Sequence, residues 1–248
     1  MKRLLEVCAG SYDSAIAAAR GGAARIELCS GLADGGVTPS AGLIKAARTI
    51  PGLKVNVLIR SREGDFLYDK EEVELMAHDV RVCREAGCDG VVIGALTPDG
   101  DVDVEACRLL MAAAGEMEVT FHRAFDLCRD PQSALETLIG LGCRRVLTSG
   151  LAASAPEGAQ TLSSLVAQAA GRIIILAGGG VNSGNAAKLV ADTGVTEVHA
   201  SARAAIPSPM RFRRGGVSMG VPGADEYSRK VTSADEVSAI VAAINSLS

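Results

Sequence analysis

The feature that most constrains this chain is a repeated order of helix, glycine and strand. Amphipathic stretches end at Gly22, Gly87, Gly142 and Gly194, and each glycine precedes a new apolar run by a few residues. Glycine ends helices readily because it adopts a left-handed backbone at little steric cost. Reading outward from these glycines predicts eight strands, near residues 4–9, 24–30, 54–60, 90–96, 118–125, 144–149, 172–177 and 197–202.

Amphipathic helices between these strands complete the repeat. They are predicted near residues 13–21, 40–50, 70–86, 103–114, 131–140, 157–169, 183–192 and 234–246. Eight units of about 31 residues, with strands rich in Val, Ile and Leu, predict an α/β fold: a parallel (β/α)8 TIM-type barrel that forms one domain over residues 1–248. A doubly wound open sheet is the alternative, which the absence of a dinucleotide-type glycine loop after the first strand disfavours.

One segment, residues 203–232, interrupts this rhythm as a long connection between strand eight and helix eight. Connections of this length inside a compact domain are usually functional. In a barrel this one would follow strand eight at the C-terminal mouth, where active sites of the architecture lie.

Composition excludes several classes of function. A net charge of −4, a pI near 5.5 and only 3% aromatic residues argue against a nucleic-acid-binding surface. No run approaches the roughly 18 apolar residues of a membrane span, and no signal peptide is visible. The seven cysteines are scattered through a long chain, unlike a secreted disulfide scaffold, so we expect a cytoplasmic protein without a membrane partner.

Two matching tripeptides, Glu6-Val7-Cys8 and Glu27-Leu28-Cys29, lie in the first two predicted strands. Because side chains alternate along a strand, the carboxylate and the thiol share one face in each. A carboxylate on a buried face is costly unless it is paired. The repeat therefore predicts a polar cavity inside the barrel.

Polar residues also end the other predicted strands, and the barrel would gather them at its C-terminal mouth. They are Asn56, Arg60, Thr120, His122, Asp126, Thr148, Ser149, the triple glycine Gly178-Gly179-Gly180, His199, Ser201 and Arg203. Alternate positions on several strands favour one inward-facing set, although an error of one residue in register would turn a strand over.

An anion site is predicted at this mouth. The triple glycine Gly178-Gly179-Gly180 lies between a strand and a helix start, so its backbone N–H groups and the helix dipole could hold an anion, with Ser201 and Arg203 beside it. Arg60 and Ser149 are further candidate anion ligands. A turn that holds no ligand is the alternative.

His122 is the candidate general acid or base, because histidine titrates near neutral pH. Its predicted carboxylate partner is Glu27 or Asp126. A hydrogen-bonded structural histidine is the alternative.

Cys8 and Cys29 lie on neighbouring predicted strands, which run about 4.8 Å apart, so their sulfurs could share a soft ion such as Cu(I). They could equally be two buried small hydrophobes, as free cysteines often are.

The chain resembles the CutC copper homeostasis family over nearly its whole length. The segments that carry the resemblance are Leu5-Glu6-Val7-Cys8, Arg25-Ile26-Glu27-Leu28-Cys29-Ser30, Thr38-Pro39-Ser40, Gly64-Asp65-Phe66, Gly94-Ala95-Leu96-Thr97, Thr120-Phe121-His122-Arg123-Ala124-Phe125-Asp126, Leu147-Thr148-Ser149-Gly150, Gly178-Gly179-Gly180-Val181 and Ser201-Ala202-Arg203. It departs from the family where Ser61 and Ala177 stand at positions commonly held by proline.

The resemblance implies an eightfold barrel in the cytoplasm, a homo-oligomer such as a dimer or tetramer, and a role in copper homeostasis. It also implies that Cys8 and Cys29 are the ligands of Cu(I). The residues themselves leave a second hypothesis open: an enzyme of unknown reaction acting on a small phosphorylated or carboxylated metabolite, held by Arg60, Arg203 and the triple glycine while His122 and Glu27 transfer protons.

Overall fold

Eight parallel strands close into a barrel in the computed structural model, which describes residues 3–217, 219 and 225–246. The strand order follows the sequence, and β1 pairs with both β2 and β8. The strands are β1 Leu4–Ala9, β2 Arg25–Leu28, β3 Lys54–Leu58, β4 Gly90–Ile93, β5 Glu118–Phe121, β6 Arg145–Thr148, β7 Ile174–Gly178 and β8 Glu197–Ala200. The predicted (β/α)8 barrel is confirmed.

Eight α-helices surround the barrel within the described part of the chain. They are α1 Tyr12–Arg20, α2 Ala41–Ala47, α3 Lys70–Glu85, α4 Val104–Ala114, α5 Pro131–Leu141, α6 Ala159–Ala169, α7 Ala186–Thr193 and α8 Ala234–Asn245. Asp69 and Glu72 form a capping box at the start of α3. Gly142 and Gly194 end α5 and α7 with φ of 87° and 75°. None of the described helices is long and apolar enough to cross a membrane.

The main core lies between the barrel and the helices. Val7, Ile26, Val55 and Val91 point outward from their strands and are fully buried there. Alternation then turns the neighbouring positions inward, and many of these are polar. The barrel interior is therefore a second, chemically different environment.

A basal ion cluster fills the N-terminal end of this interior and consists of Glu6, Arg25, Glu118, Arg145 and Glu197. The Arg25 guanidinium contacts both Glu6 and Glu197. Arg145 donates from Nε to Glu197 over 2.9 Å and from Nη1 to Glu118 over 2.7 Å. Pairing of this kind offsets the desolvation cost of buried charges.

The segment after β8, predicted as a long connection, contains an antiparallel ribbon. Its strands are β9 Arg203–Pro207 and β10 Ser228–Thr232, with Arg203 opposite Thr232. The long connection predicted over residues 203–232 thus contains a strand at each of its ends. Residues 218 and 220–224 lie outside the described residues.

Candidate functional site

A mouth cavity of about 150 Å³ lies at the C-terminal end of the barrel. Its walls come from several strand ends and the loops that follow them, as is usual for this architecture. The lining residues are Cys8, Glu27, Gly35, Leu58, Arg60, Phe66, His122, Arg123, Leu147 and His199. Of the predicted site residues, the structure therefore brings Cys8, Glu27, Arg60 and His122 to one cavity.

Cys8 and Cys29 meet beside this cavity. The parallel register places Cys8 of β1 opposite Glu27 of β2, so Cys29 comes two residues later on the same face. Their Sγ atoms are 3.6 Å apart, and both side chains are buried against Leu58 and Val92. The hydrogen bond with Cys29, together with burial, raises the pKa of the Cys8 thiol well above its usual range.

His199, on β8, connects the cysteines to the basal ion cluster. Its Nδ1 lies 2.8 Å from Oε1 of Glu6, and its Nε2 lies 3.8 Å from Oε2 of Glu27. Although burial favours the neutral ring, hydrogen bonds with Cys8 and Glu6 hold the pKa of His199 well above its usual range. Burial raises the pKa of the Glu27 carboxyl. One ligand atom each from Cys8, Glu27 and His199 lies within 4.8 Å of the others.

Glu6 shares its carboxylate between two partners. Burial disfavours its charged form, but the Arg25 charge and the His199 hydrogen bond outweigh this and lower the pKa of Glu6 to about 2. The charged carboxylate in turn orients the His199 ring toward Cys8. The Glu-x-Cys repeat indicates an inward position for Glu6, but the partners of its carboxylate lie on other strands and are not visible in the sequence.

His122 follows β5 and faces Phe66 with 4.8 Å between ring centroids. Its Nδ1 accepts a hydrogen bond of 3.1 Å from the Ala124 backbone N–H, whereas its Nε2 has no partner among the described residues. Burial and the nearby Arg60 charge lower the pKa of His122 to about 3. The imidazole is therefore neutral at physiological pH.

Asp126 does not accompany His122 as a carboxylate partner. Its carboxylate accepts from Arg123 Nε over 2.7 Å and from the backbone N–H groups of Ser149 and Leu151. The Ser149 hydroxyl is also engaged, donating to the Ala152 carbonyl over 2.7 Å. These bonds hold the loop after β6, so the catalytic role of Asp126 and the anion-binding role of Ser149 stay predictions.

Arg60 is buried at the wall of the cavity. Its Nη1 donates to the carbonyls of Asp34 and Gly36 over 3.0 and 2.9 Å, and its Nη2 donates to the carbonyl of Gly64 over 2.7 Å. The guanidinium carbon lies 5.0 Å from the centre of the Phe66 ring. Its Nε has no hydrogen-bond partner in the described part of the chain.

The triple glycine lies next to two residues that line the cavity, and its loop already holds a carboxylate. Gly178 packs against Leu147 and His199, and Gly179 and Gly180 follow with φ of 101° and 74°. The Ser183 N–H and hydroxyl, just beyond, donate to Glu236 of α8 over 2.8 and 2.9 Å. Helix α7 begins at Ala186, three residues later than predicted, so its N-terminus lies farther from the triple glycine than expected.

Arg203 lines a different cavity from Arg60. This groove of about 760 Å³ lies between the ribbon and the loops after β1 and β2, with Ser11, Leu32 and Lys230 in its walls. Ser201 is half-buried at the end of β8. The predicted anion ligands are thus divided between two cavities, and anion binding at the triple glycine, Ser201 and Arg203 stays a prediction.

Comparison with known proteins supplies the family. A model of the CutC family matches residues 3–204. A family protein CutC of Chromobacterium violaceum is 55% identical over 99% of both chains. The human copper homeostasis protein cutC homolog is 49% identical over 94% of this chain and 86% of its own. A CutC crystal structure from Streptococcus agalactiae superposes with a TM-score of 0.78 at 34% identity, covering 80% of this chain and 98% of that one. This chain belongs to the CutC family.

Proposed function

We propose that this chain is a cytoplasmic Cu(I)-binding protein whose ligands are Cys8 and Cys29. The observation that carries the proposal is the Sγ–Sγ distance of 3.6 Å. Metal–thiolate bonds are about 2.3 Å long in zinc sites, so two thiolates on one ion of similar size can stand up to about 4.6 Å apart. The name of the human relative, a copper homeostasis protein, supports the same function.

The donor set fits a soft ion. Thiolates select Cu(I), and imidazole also suits copper, so His199 can supply a third ligand through its Nε2 once the ring releases the proton that Cys8 and Glu6 help it to hold. Glu27 offers a hard carboxylate oxygen, which suits Mg²⁺, Ca²⁺ or Mn²⁺ better than Cu(I). Leu58 and Val92 pack with both cysteines and give the sulfurs an apolar side. The ion would be carried as cargo and released to another carrier.

The site assignment is tested by anaerobic Cu(I) titration of the reduced protein against a competing chelator. About one Cu(I) per chain is expected, and Cys8→Ala with Cys29→Ala should abolish it. Cys107→Ala with Cys143→Ala is the matched control, because that pair is also buried but lies outside the mouth cavity. Undiminished Cu(I) affinity in the Cys8 and Cys29 variant would contradict the assignment.

Binding should also release protons. Cys8 keeps its proton at neutral pH because Cys29 and burial raise its pKa, and a thiol must lose its proton to ligate a metal. Apparent affinity should therefore rise with pH, about tenfold per unit for each proton released. Titrations at several pH values measure this slope, and a flat profile would show that Cys8 is not a ligand.

An enzyme acting on a small phosphorylated or carboxylated metabolite is the second candidate. One observation favours it: the hydrogen bond of 2.8 Å between His199 and Glu6, which orients an acid or base beside Glu27 and Cys8. A proton-transfer group oriented by a buried carboxylate is a common catalytic arrangement. Thermal-shift assays with such metabolites test it, since any ligand of the native state raises the melting temperature. No shift with any of them would weigh against an enzyme.

A further inference from the structure

Two buried hydrogen-bond donors on the wall of the mouth cavity have no acceptor. Arg60 is 6% exposed and His122 is 5% exposed, and each has one side-chain nitrogen without a partner among the described residues. Buried polar atoms are nearly always satisfied in folded proteins. Both residues line the mouth cavity, so an acceptor bound in that cavity would satisfy them.

Arg60 also carries an uncompensated charge. Its three hydrogen bonds through Nη1 and Nη2 reach backbone carbonyls, which are neutral, and none of the described carboxylates forms an ion pair with it. Arg25, at the other end of the barrel, is buried to a similar degree but contacts two glutamates. A buried cation without a counter-charge is costly, so the missing acceptor at Arg60 should be negatively charged.

The protonation of His122 makes its free nitrogen a donor. The Ala124 N–H donates to Nδ1, so Nδ1 carries no proton. A neutral imidazole then has its proton on Nε2, and the pKa of about 3 keeps the ring neutral. His122 Nε2 is therefore an N–H group without an acceptor. It can bind an oxyanion but cannot accept a proton from one at neutral pH.

The cavity limits the size of the ligand. An engineered cavity of about 150 Å³ holds a benzene molecule, which has six non-hydrogen atoms. Leu58, Phe66 and Leu147 supply apolar walls, and Phe66 packs against both Arg60 and His122. A two- or three-carbon acid fits this space, with its oxygens at the two donors and its short carbon chain against the apolar walls.

The walls and donors of the cavity favour an organic carboxylate over inorganic phosphate. A carboxylate, with two oxygens in one plane, matches two N–H donors, one of them charged. Its carbon chain can contact Leu58, Phe66 and Leu147, whereas phosphate has no apolar part.

We propose that the mouth cavity binds a small organic carboxylate, whose oxygens accept hydrogen bonds from Arg60 Nε and His122 Nε2. This ligand site goes beyond Cu(I) binding and does not depend on it. For the enzymatic candidate it names the substrate class as short carboxylic acids, which would lie between the donors and the pair formed by His199 and Glu27.

Isothermal titration calorimetry of the reduced, metal-free full chain tests this inference, with lactate as the probe. Lactamide, its neutral isostere, and inorganic phosphate are the comparison probes. Lactate should bind, lactamide should bind at least about tenfold more weakly, and phosphate should not compete. Absence of lactate heat at saturating concentrations, equal binding of lactamide, or binding of phosphate alone would each overturn the inference.

Variants locate the site. His122→Asn keeps an acceptor for the Ala124 N–H but lacks the Nε2 donor, and Arg60→Lys keeps the charge but lacks the Nε donor. Each should weaken lactate binding at least about tenfold. Arg172→Gln is the control variant: Arg172 is exposed and does not line the mouth cavity, so this variant should bind lactate as tightly as the parent. Circular dichroism confirms that each variant is folded. Unchanged lactate affinity in both folded variants would place the ligand elsewhere.

The outcome is separable from that of the Cu(I) proposal. The Cys29→Ala variant should weaken Cu(I) binding yet still bind lactate, because Cys29 is one of the two proposed Cu(I) ligands but does not line the mouth cavity. Loss of lactate binding in that variant, with the fold intact, would mean that Cys29 rather than the two donors holds the acid.

Discussion

The two ends of the barrel interior handle buried polar groups in opposite ways. In the basal ion cluster each charge has an opposite partner, with Arg25 between Glu6 and Glu197 and Arg145 between Glu197 and Glu118. In the mouth cavity, Arg60 has no carboxylate partner among the described residues, and His122 Nε2 has no acceptor. Paired charges stabilise the framework at one end, whereas the donors without partners at the other end are those to which we propose that a carboxylate binds.

Glu6 contacts residues at both ends of the barrel interior. One oxygen contacts Arg25 of the basal ion cluster, and the other lies 2.8 Å from His199 at the mouth. The orientation of the His199 ring therefore depends on a residue that the cluster fixes. Substitutions in the basal ion cluster should therefore alter the orientation of His199 at the mouth, through Glu6.

The largest effect should come from breaking the cluster. Arg25→Met removes the cation that Glu6 and Glu197 share, which leaves Glu6 only His199 and leaves Glu197 only Arg145. The free energy of unfolding should fall by about 3–5 kcal/mol, because the buried negative charges then exceed their cationic partners. Urea unfolding followed by circular dichroism measures this loss. Adding Glu6→Gln should recover part of it, since one of the excess negative charges is then removed. A loss below about 1 kcal/mol would mean that the cluster does not stabilise the fold.

An intermediate, pH-dependent effect should come from His122. Its pKa falls from 6.5 in the unfolded chain to about 3 in the folded one, so below pH 6.5 the unfolded chain takes up a proton that the folded chain does not. This histidine therefore makes the protein less stable by about 1.4 kcal/mol per pH unit between pH 6.5 and 3.

The His122→Asn variant lacks this contribution. Its unfolding free energy should fall less steeply than that of the parent as the pH drops from 7 to 4, as measured by urea unfolding at several pH values. Parallel curves for the two proteins would show that His122 is not held neutral.

The smallest effect should come from an exposed ion pair. Arg172 and Glu136 form two hydrogen bonds of 2.7 and 2.8 Å, similar in length to those of Arg145 in the basal ion cluster, but both side chains are nearly half exposed. Water already solvates such charges, so Arg172→Gln should leave the urea midpoint unchanged. A large shift would mean that burial is not what separates the cluster from surface pairs.

Much of the fold could be predicted from the sequence because it depends on local signals. Glycines after helices and apolar runs of strand length located the strands and helices to within a few residues. The ends of strands were overestimated: β3 was predicted to reach residue 60 but ends at Leu58. Residues 59 and 60 continue the apolar and polar pattern, and only the hydrogen-bond ladder shows where pairing stops.

The candidate site was only partly predictable. Alternation correctly indicated that Cys8 and Glu27 face one cavity. Arg25 and Glu197 were missed, because a charged residue at the start of a strand also fits a solvated strand end. The partners of Asp126 were missed as well, since they lie in the loop after β6, more than 20 residues away.

The sequence by itself determined the eightfold repeat, the shared face of the two Glu-x-Cys tripeptides and the family resemblance. These follow from residue order alone, because successive side chains alternate between the two faces of a strand. Only the tertiary structure decided which polar groups are paired. Arg25 donates a hydrogen bond to Glu197, 172 residues away in the sequence, whereas Arg60 donates to neutral carbonyls. The difference could not be read from the sequence, because these distances exist only after the barrel closes.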